Sequence, residues 1–303
     1  MLAILVGLVP AFGFGLMGCV SQLVGGSVAN KQLGLALPTL PLALVMSLVR
    51  PVAWSSGLVV AAAIDGIAWS ASEALLLYSF GILGVSRSVP VSTGVQLLGT
   101  SAIGVLFLGE WRGQSQLALG LLALVLVAAG VVLCSREDAS AIESAASRPG
   151  HEGWSANARG MACVMLSAGL SVAYASTSSI FAVDALDLLL PQSLFMVASS
   201  FAVGLVSSKG RLVGSPEAVL GRKTWENMLA GALFAIANAC VLLSNQMNGL
   251  AVGWTLAQMN VIVSTVGGLV LLHEHRSARG LAFVVTGMAL VAFGGVLIGL
   301  TKA

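Results

Sequence analysis

Long apolar runs, interrupted at regular intervals by charges, prolines, glycines and short polar clusters, fill this chain from end to end. Taken between those interruptions, they predict spans near 2–24, 32–49, 57–80, 88–109 and 116–134, and again near 159–180, 189–207, 227–247, 252–272 and 280–300. A run of about 20 residues is what an α-helix needs to cross ~30 Å of hydrocarbon. The runs are continuous, not the alternating pattern of a membrane barrel strand. A helix also satisfies its own backbone polar groups, which lipid cannot do. Residues 135–157 are different, with Arg136, Glu137, Asp138, Glu143, Arg148, His151 and Glu152 in one short stretch. The predicted fold is therefore an all-α integral membrane protein with ten transmembrane helices. It comprises a first five-helix repeat over 1–134, a polar linker over 135–157 and a second five-helix repeat over 158–303.

The two sets copy one another. At an offset of 164 residues the chain pairs Gly104 with Gly268, Leu108 with Leu272, Glu110 with Glu274, Arg112 with Arg276 and Gly130 with Gly294. At an offset of 165 it pairs Gly66 with Gly231, Ala74 with Ala239 and Ser79 with Ser244. Gly, Ala and Leu coincide easily in such a chain, but charged pairs do not. An odd number of spans per repeat makes the halves enter the membrane from opposite faces, so these are inverted repeats. Many carriers build a substrate site between two such bundles.

Composition sharpens the class. Hydrophobic residues make up 57% of the 303 and charged residues 9%, with a mean hydropathy of +0.99. A soluble domain needs a far more charged surface. The net charge of +2 comes with no basic patch or aromatic-basic interleaving of the kind that binds nucleic acid. Cys19, Cys134, Cys163 and Cys240 stand singly in or beside apolar runs, as small buried residues rather than disulfide or metal sites. The N-terminal run lacks a basic n-region, so it is expected to stay as the first span. Lys31, Arg87, Arg136, Arg148, Arg159, Lys209, Arg211, Arg222, Lys223, Arg276 and Arg279 gather on one face, against Arg50, Arg112 and Lys302 on the other. The positive-inside rule then places the linker and the 207–225 loop in the cytoplasm, and both termini outside the plasma membrane.

Polar side chains within spans mark candidate pathways, because an ionisable group in lipid is costly and turns toward protein or water. Asp65 and Glu73 are the acidic residues well inside spans, both in the third. With Trp69 they recur every four residues on one helix face. Phe234 and Asn238 hold the matching positions of the second half. The two helices are expected to present an aromatic ring and a hydrogen-bonding group from each side of a cavity, an arrangement suited to a polyhydroxylated ligand. Glu73 is the candidate proton-exchanging group. Asp65, shallower, is a second candidate that faces either a vestibule or a structural contact. In the fourth and ninth spans, Gln96 matches Asn260 at offset 164, and Gln258 lies beside it. These amides either line the cavity or bridge helices. Pro90 is either a first-turn proline or part of a broken helix at the site.

Other chemistries find no motif. His273-Glu274-His275 lacks the HExxH spacing of a zinc hydrolase. No Walker sequence, catalytic triad, acidic metal cluster or cofactor fingerprint appears, so an enzyme is not expected.

The segment Gly84-Val-Ser-Arg-Ser-Val-Pro-Val-Ser-Thr-Gly-Val-Gln-Leu-Leu-Gly-Thr, running on to Phe107-Leu-Gly-Glu-Trp111, resembles the bacterial glucose/ribose porter family of the drug/metabolite transporter superfamily. Pro10-Ala-Phe-Gly-Phe-Gly and Val261-Ile-Val-Ser-Thr-Val-Gly-Gly extend the resemblance over most of the chain. It implies ten helices in inverted halves and uptake of monosaccharides such as glucose, coupled to protons. The chain departs from the expected family pattern by carrying Glu73 in place of a glutamine and Phe14 in place of a tryptophan.

Three functions follow in order. The first is a secondary active transporter importing a glucose- or ribose-class sugar by alternating access. Glu73 would respond to protons, and Trp69, Glu73, Gln96, Phe234, Asn238, Gln258 and Asn260 would contact the sugar. The second is a proton-coupled exporter of another small metabolite or amino acid. The third is a non-transporting membrane sensor or scaffold, which the short linker disfavours. Glycine-lined helix faces leave a homodimer open.

Overall fold

The computed structural model describes residues 2–135, 153–273 and 277–301. Among them there is no strand, and ten helical segments are long and apolar enough to cross a bilayer. The first five spans are α1 (Leu2–Val24), α2 with α3 (Val28–Ala36 and Thr39–Val49), α4 (Ser56–Leu83), α5 (Val85–Leu106) and α6 (Gln114–Ser135). The second five are α7 (Gly153–Ile180), α8 (Ala185–Ser207), α10 (Met228–Asn248), α11 with α12 (Leu250–Ala257 and Asn260–Val270) and α13 (Ala278–Leu300). A short α9 (Arg222–Glu226) precedes α10.

Helix starts fall where capping side chains sit. Ser27, Ser55, Asp184 and Ser277 accept amide hydrogens at the N-termini of α2, α4, α8 and α13, which satisfies donors the first turn leaves free. Helix α2 starts four residues before the expected boundary, because Asn30, Lys31 and Gln32 are helical and buried. Asn30 Nδ2 donates to the Ala218 carbonyl (2.6 Å) and to Thr224 Oγ1 (3.0 Å). The 208–227 segment thus folds over the end of α2, with Ala218 and Val219 fully buried. Helix α7 begins at Gly153, so residues 153–157 of the expected linker are helical. Residues 136–152, the paired Glu274 and Arg276, His275 and Lys302 lie outside the described residues.

Packing interlocks the two sets. Helix α1 packs against α10, α11 and α12, while α4 packs against α7 and α8. Helix α6 lies along α13, and α2 and α3 lie along α8. Matching spans by order, the α1–α10 and α7–α4 contacts correspond, as an inverted repeat requires. Gly84 (φ 79°) joins α4 to α5 and Gly249 (φ 83°) joins α10 to α11, at matching points of the two sets. Both adopt a left-handed conformation that glycine takes without steric cost. Gly66 serves close approach. A Cβ there would stand 2.7 Å from Phe195 Cβ and 2.8 Å from the Met196 nitrogen, so only glycine lets α4 meet α8 at this depth. The largest apolar cluster is central, built on Trp69, Tyr174, Phe234 and Trp254. Leu121, Val125, Val285 and Phe293 on α6 and α13 point outward, as a lipid-facing surface requires.

Candidate functional site

A cavity of about 80 Å³ lies among α1, α4, α5, α7, α10, α11 and α12. One water takes ~10–15 Å³ of such space, so several water-sized groups fit. Its lining runs from mid-span toward the face that carries the linker, through Gly18, Leu76, Phe80, Val89 and Ser264.

Two aromatic groups form its walls. Trp69 stacks on Phe234 with ring centroids 4.5 Å apart and planes 25° apart, and Phe14 lies 5.8 Å from Phe234. Tyr174 meets Trp254 edge-on at 5.7 Å. The Trp254 indole nitrogen is buried without a partner among the described residues. An amide corner joins α5 to the turn between α11 and α12. Gln258 Nε2 donates to Gln96 Oε1 (2.5 Å), Gln96 Nε2 to Ser92 Oγ (2.7 Å) and Thr93 Oγ1 to Gln258 Oε1 (3.1 Å). Asn260 Nδ2 reaches Gln258 Oε1 at 3.4 Å, and its own Oδ1 has no partner among the described residues. Glu73 completes the lining. It is 5% exposed, and its Oε1 has no hydrogen-bond partner among the described residues.

Six of the eight candidate residues therefore line one cavity: Trp69, Glu73, Gln96, Phe234, Gln258 and Asn260. Their arrangement differs from the expected one in four respects. Trp69 and Phe234 stack on each other as a single wall, with ring centroids 4.5 Å apart, which leaves no gap for a ligand between the rings. Asn238 lies behind that wall, one turn beyond Phe234, with both ends of its amide engaged. Asp65 faces no vestibule; it is fully buried and accepts from Gln192 Nε2 at 2.6 Å. Pro90 sits inside an unbroken α5, beyond its first turn. The ninth span is broken instead, where Gln258 and Met259 separate α11 from α12, as the second span is between α2 and α3. That break aims Gln258 at Gln96, which pairs with it rather than with its repeat partner Asn260.

Sequence reasoning missed Gln192, which connects Asn238 to Asp65, and Tyr174, which donates to Asn238. Gln192 follows Pro191 in an apolar run, and an amide there was a visible signal. Glu110 was read as a repeat marker; it is also a cap. Its Oε1 accepts from the Leu250 amide (2.8 Å) and its Oε2 from the Ala251 amide (3.0 Å), tying the α5–α6 turn to the start of α11 in the other half. A carboxylate at a helix N-terminus also meets the positive end of the helix dipole. A second cavity, about 440 Å³, opens beside Glu110, Asp184, Asn245 and Gln246 on the face carrying the termini. Cys19 is buried, Cys163 and Cys240 are half-buried, and none of the three is in a disulfide among the described residues; the Cys134 side chain lies outside the described residues. His273 is exposed.

Ten membrane-length helices around a central cavity lined by aromatics, amides and a lone carboxyl define a multi-pass membrane carrier. The family profile described as Sugar transport protein matches residues 5–301, and the chain belongs to that family, the glucose/ribose porters, which are carriers and not enzymes. A Listeria monocytogenes serovar 1/2a protein, provisionally named a sugar uptake protein, is 30% identical over 300 residues, covering 99% of each chain. A Lactobacillus johnsonii protein, provisionally named a ribose uptake protein, is 31% identical over 96% of each. A Priestia megaterium protein, provisionally named a glucose uptake protein, is 28% identical over 99% of each. A solved crystal structure of a protein at 15% identity matches the fold with a TM-score of 0.64, over 98% of this chain and 96% of that one.

Proposed function

We propose that this protein imports a monosaccharide of the glucose or ribose class across the plasma membrane by alternating access, coupled to protons. Glu73 is the proton-responsive group in this reading. One observation carries it. Glu73 is a buried carboxyl with an unpartnered oxygen, on the wall of a cavity whose lining also carries aromatic rings, amides and hydroxyls. Aromatic faces cover the apolar C–H surfaces of a sugar, while amides and the carboxyl meet its hydroxyls. Trp69, Phe234, Gln96, Gln258 and Asn260 are the proposed direct contacts, and Asn238 supports them from behind.

The cavities support alternating access. One lies toward the linker face and the other opens on the termini face. Between them the Asn245 side chain, which lines the second, hydrogen-bonds at 3.5 Å to the carbonyl of Ala175, next to Tyr174 of the first. The distribution of Lys and Arg supports a cytoplasmic linker face with both termini outside.

Labelled D-glucose or D-ribose uptake into proteoliposomes under an imposed proton gradient tests this, comparing wild type with Glu73→Gln. The expected result is gradient-driven accumulation by wild type, lost in Glu73→Gln while sugar counterflow persists. Uptake indifferent to the gradient removes the coupling. Accumulation of neither sugar removes the substrate class.

A further inference from the structure

Behind the aromatic wall, four side chains from four spans form a single directional chain. Tyr174 Oη donates to Asn238 Oδ1 (2.5 Å), Asn238 Nδ2 to Gln192 Oε1 (2.9 Å) and Gln192 Nε2 to Asp65 Oδ1 (2.6 Å). All four residues are buried, and Asp65 Oδ2 has no partner among the described residues. Every donor points toward Asp65. The far end sets that sense. An aspartate oxygen without a proton of its own can only accept, so Gln192 gives it the amide nitrogen and turns its oxygen to Asn238. Asn238 must then donate to Gln192 and accept from Tyr174. Running the chain backwards requires a proton on Oδ1 itself and a half-turn of both amides.

The near end is part of the site, because Tyr174 lines the cavity. A phenol has one hydrogen and can either give or take a hydrogen bond. In Tyr174 the hydrogen is committed to Asn238, so its oxygen meets a ligand only as an acceptor.

We propose that Tyr174 is a specificity-determining residue that selects a ligand hydroxyl acting as a donor, and that Asp65 is a positioning residue that fixes this polarity through Gln192 and Asn238. The inference rests on the monosaccharide reading of the cavity. A hydroxyl satisfies Tyr174; fluorine or a bare hydrogen at the same ring position does not. Glu73, also an acceptor on this wall, is free to take a second hydroxyl.

The test is equilibrium binding to the purified full-length protein, followed by tryptophan fluorescence, since Trp254 contacts Tyr174 directly. The probes are D-glucose, D-ribose and their single-position deoxy and fluoro analogues. For wild type, one ring position is expected where the deoxy and fluoro analogues both bind about tenfold more weakly than the parent sugar, the effect of one buried hydrogen bond. In Tyr174→Phe that penalty disappears at that position alone, and the parent sugar binds about tenfold more weakly. Asparagine at position 65 offers both a donor and an acceptor, so the chain can run either way. In Asp65→Asn the fluoro analogue therefore regains affinity relative to the deoxy analogue, which a merely structural role would not produce. Should Asp65→Asn fail to fold, Tyr174→Phe still decides, because it keeps the ring and its contact with Trp254. Sugar binding in wild type with an analogue pattern unchanged in Tyr174→Phe overturns the proposal and leaves the monosaccharide reading standing. A loss that is equal for all analogues in Asp65→Asn overturns the role of Asp65. No binding of either sugar by wild type overturns both.

Discussion

Positions 73 and 238 match in the sequence duplication, yet the fold gives them opposite roles. Glu73 stands on the cavity wall with an unpartnered oxygen. Asn238 stands behind that wall with its oxygen held by Tyr174 and its nitrogen by Gln192. A charged-to-amide difference between halves thus separates a group left available from one that is committed. Duplication supplies the same register twice; the neighbours decide whether a polar side chain at that register is chemistry or framework. Here the α4 position holds the carboxyl that the proposed function makes proton-responsive, and the α10 position an amide held by two neighbours.

The comparison breaks most severely at Gly66, where the α4 backbone lies against α8. In Gly66→Ala a methyl group would sit under 3 Å from Met196 backbone, so the helices must separate and the Asp65–Gln192 bond must stretch. Overpacking of this kind costs roughly 3 kcal/mol, and the detergent-solubilised protein is expected to lose its cooperative melting transition. A Gly66→Ala variant that melts like wild type would show that α4 and α8 can part without cost. Next comes Asn238→Leu, which strands Tyr174 Oη and Gln192 Oε1 in a dry interior, at a cost of about 1–3 kcal/mol. Glu73→Gln removes no protein partner, so its melting temperature is expected to match wild type although its transport does not. Equal destabilisation by the two substitutions would abolish the distinction between them.

Glu110 extends the comparison to the termini face. Glu110→Gln keeps one acceptor for the Leu250 and Ala251 amides and loses the other along with the charge at the start of α11, an expected loss of about 1 kcal/mol. Because the cap joins the two halves, the same change is expected to loosen that face. A cysteine placed at Ala182, on the second cavity, should react faster with a membrane-impermeant thiol reagent in Glu110→Gln than in the otherwise wild-type chain. An unchanged labelling rate would reduce Glu110 to a local cap.

Ten spans were legible because lipid imposes one rule on every crossing segment, and that rule writes long apolar runs into the sequence. The early start of α2 was not, since Asn30-Lys31-Gln32 looks like a loop until the 208–227 segment covers it. Glu73 was legible as a carboxyl in an apolar span. Its role relative to Asp65 was not, because burial depth and the Gln192 contact depend on how closely Gly66 lets α8 approach. Trp69 and Phe234 hold matching positions in the duplication, but register alone cannot say whether two rings face each other across a gap or stack. Gln96 and Asn260 were matched at the same point of the repeat, with Gln258 beside Asn260, whereas the break at Gln258–Met259, next to the Gln258–Gln96 bond, has neither proline nor glycine to announce it.

The smallest expected effect is electrostatic and lies at the same end as Glu110. Arg50 sits 2.9 Å from Asp184 and 3.7 Å from Asp187, and Gln246 donates to Asp184 Oδ2 at 3.0 Å. Partial burial raises the Asp184 carboxyl, but hydrogen bonds from Gln246, the Leu186 amide, Arg50 and the Asp187 amide outweigh it and hold the group below the ordinary 3.8. The folded state therefore binds this proton less readily than the unfolded chain does. The stabilisation is fully present above the ordinary carboxylate value and is lost as pH falls through the lowered folded value. Both side chains are partly exposed, at 47% and 28%, so water screens the pair to at most ~1 kcal/mol. Asp184→Asn isolates the charge, because asparagine caps a helix as well as aspartate does. Wild type should melt slightly above Asp184→Asn at pH 7, and the gap should close progressively once the pH drops below 3.8. A gap that persists unchanged into that acidic range would assign the difference to capping geometry rather than to the ion pair.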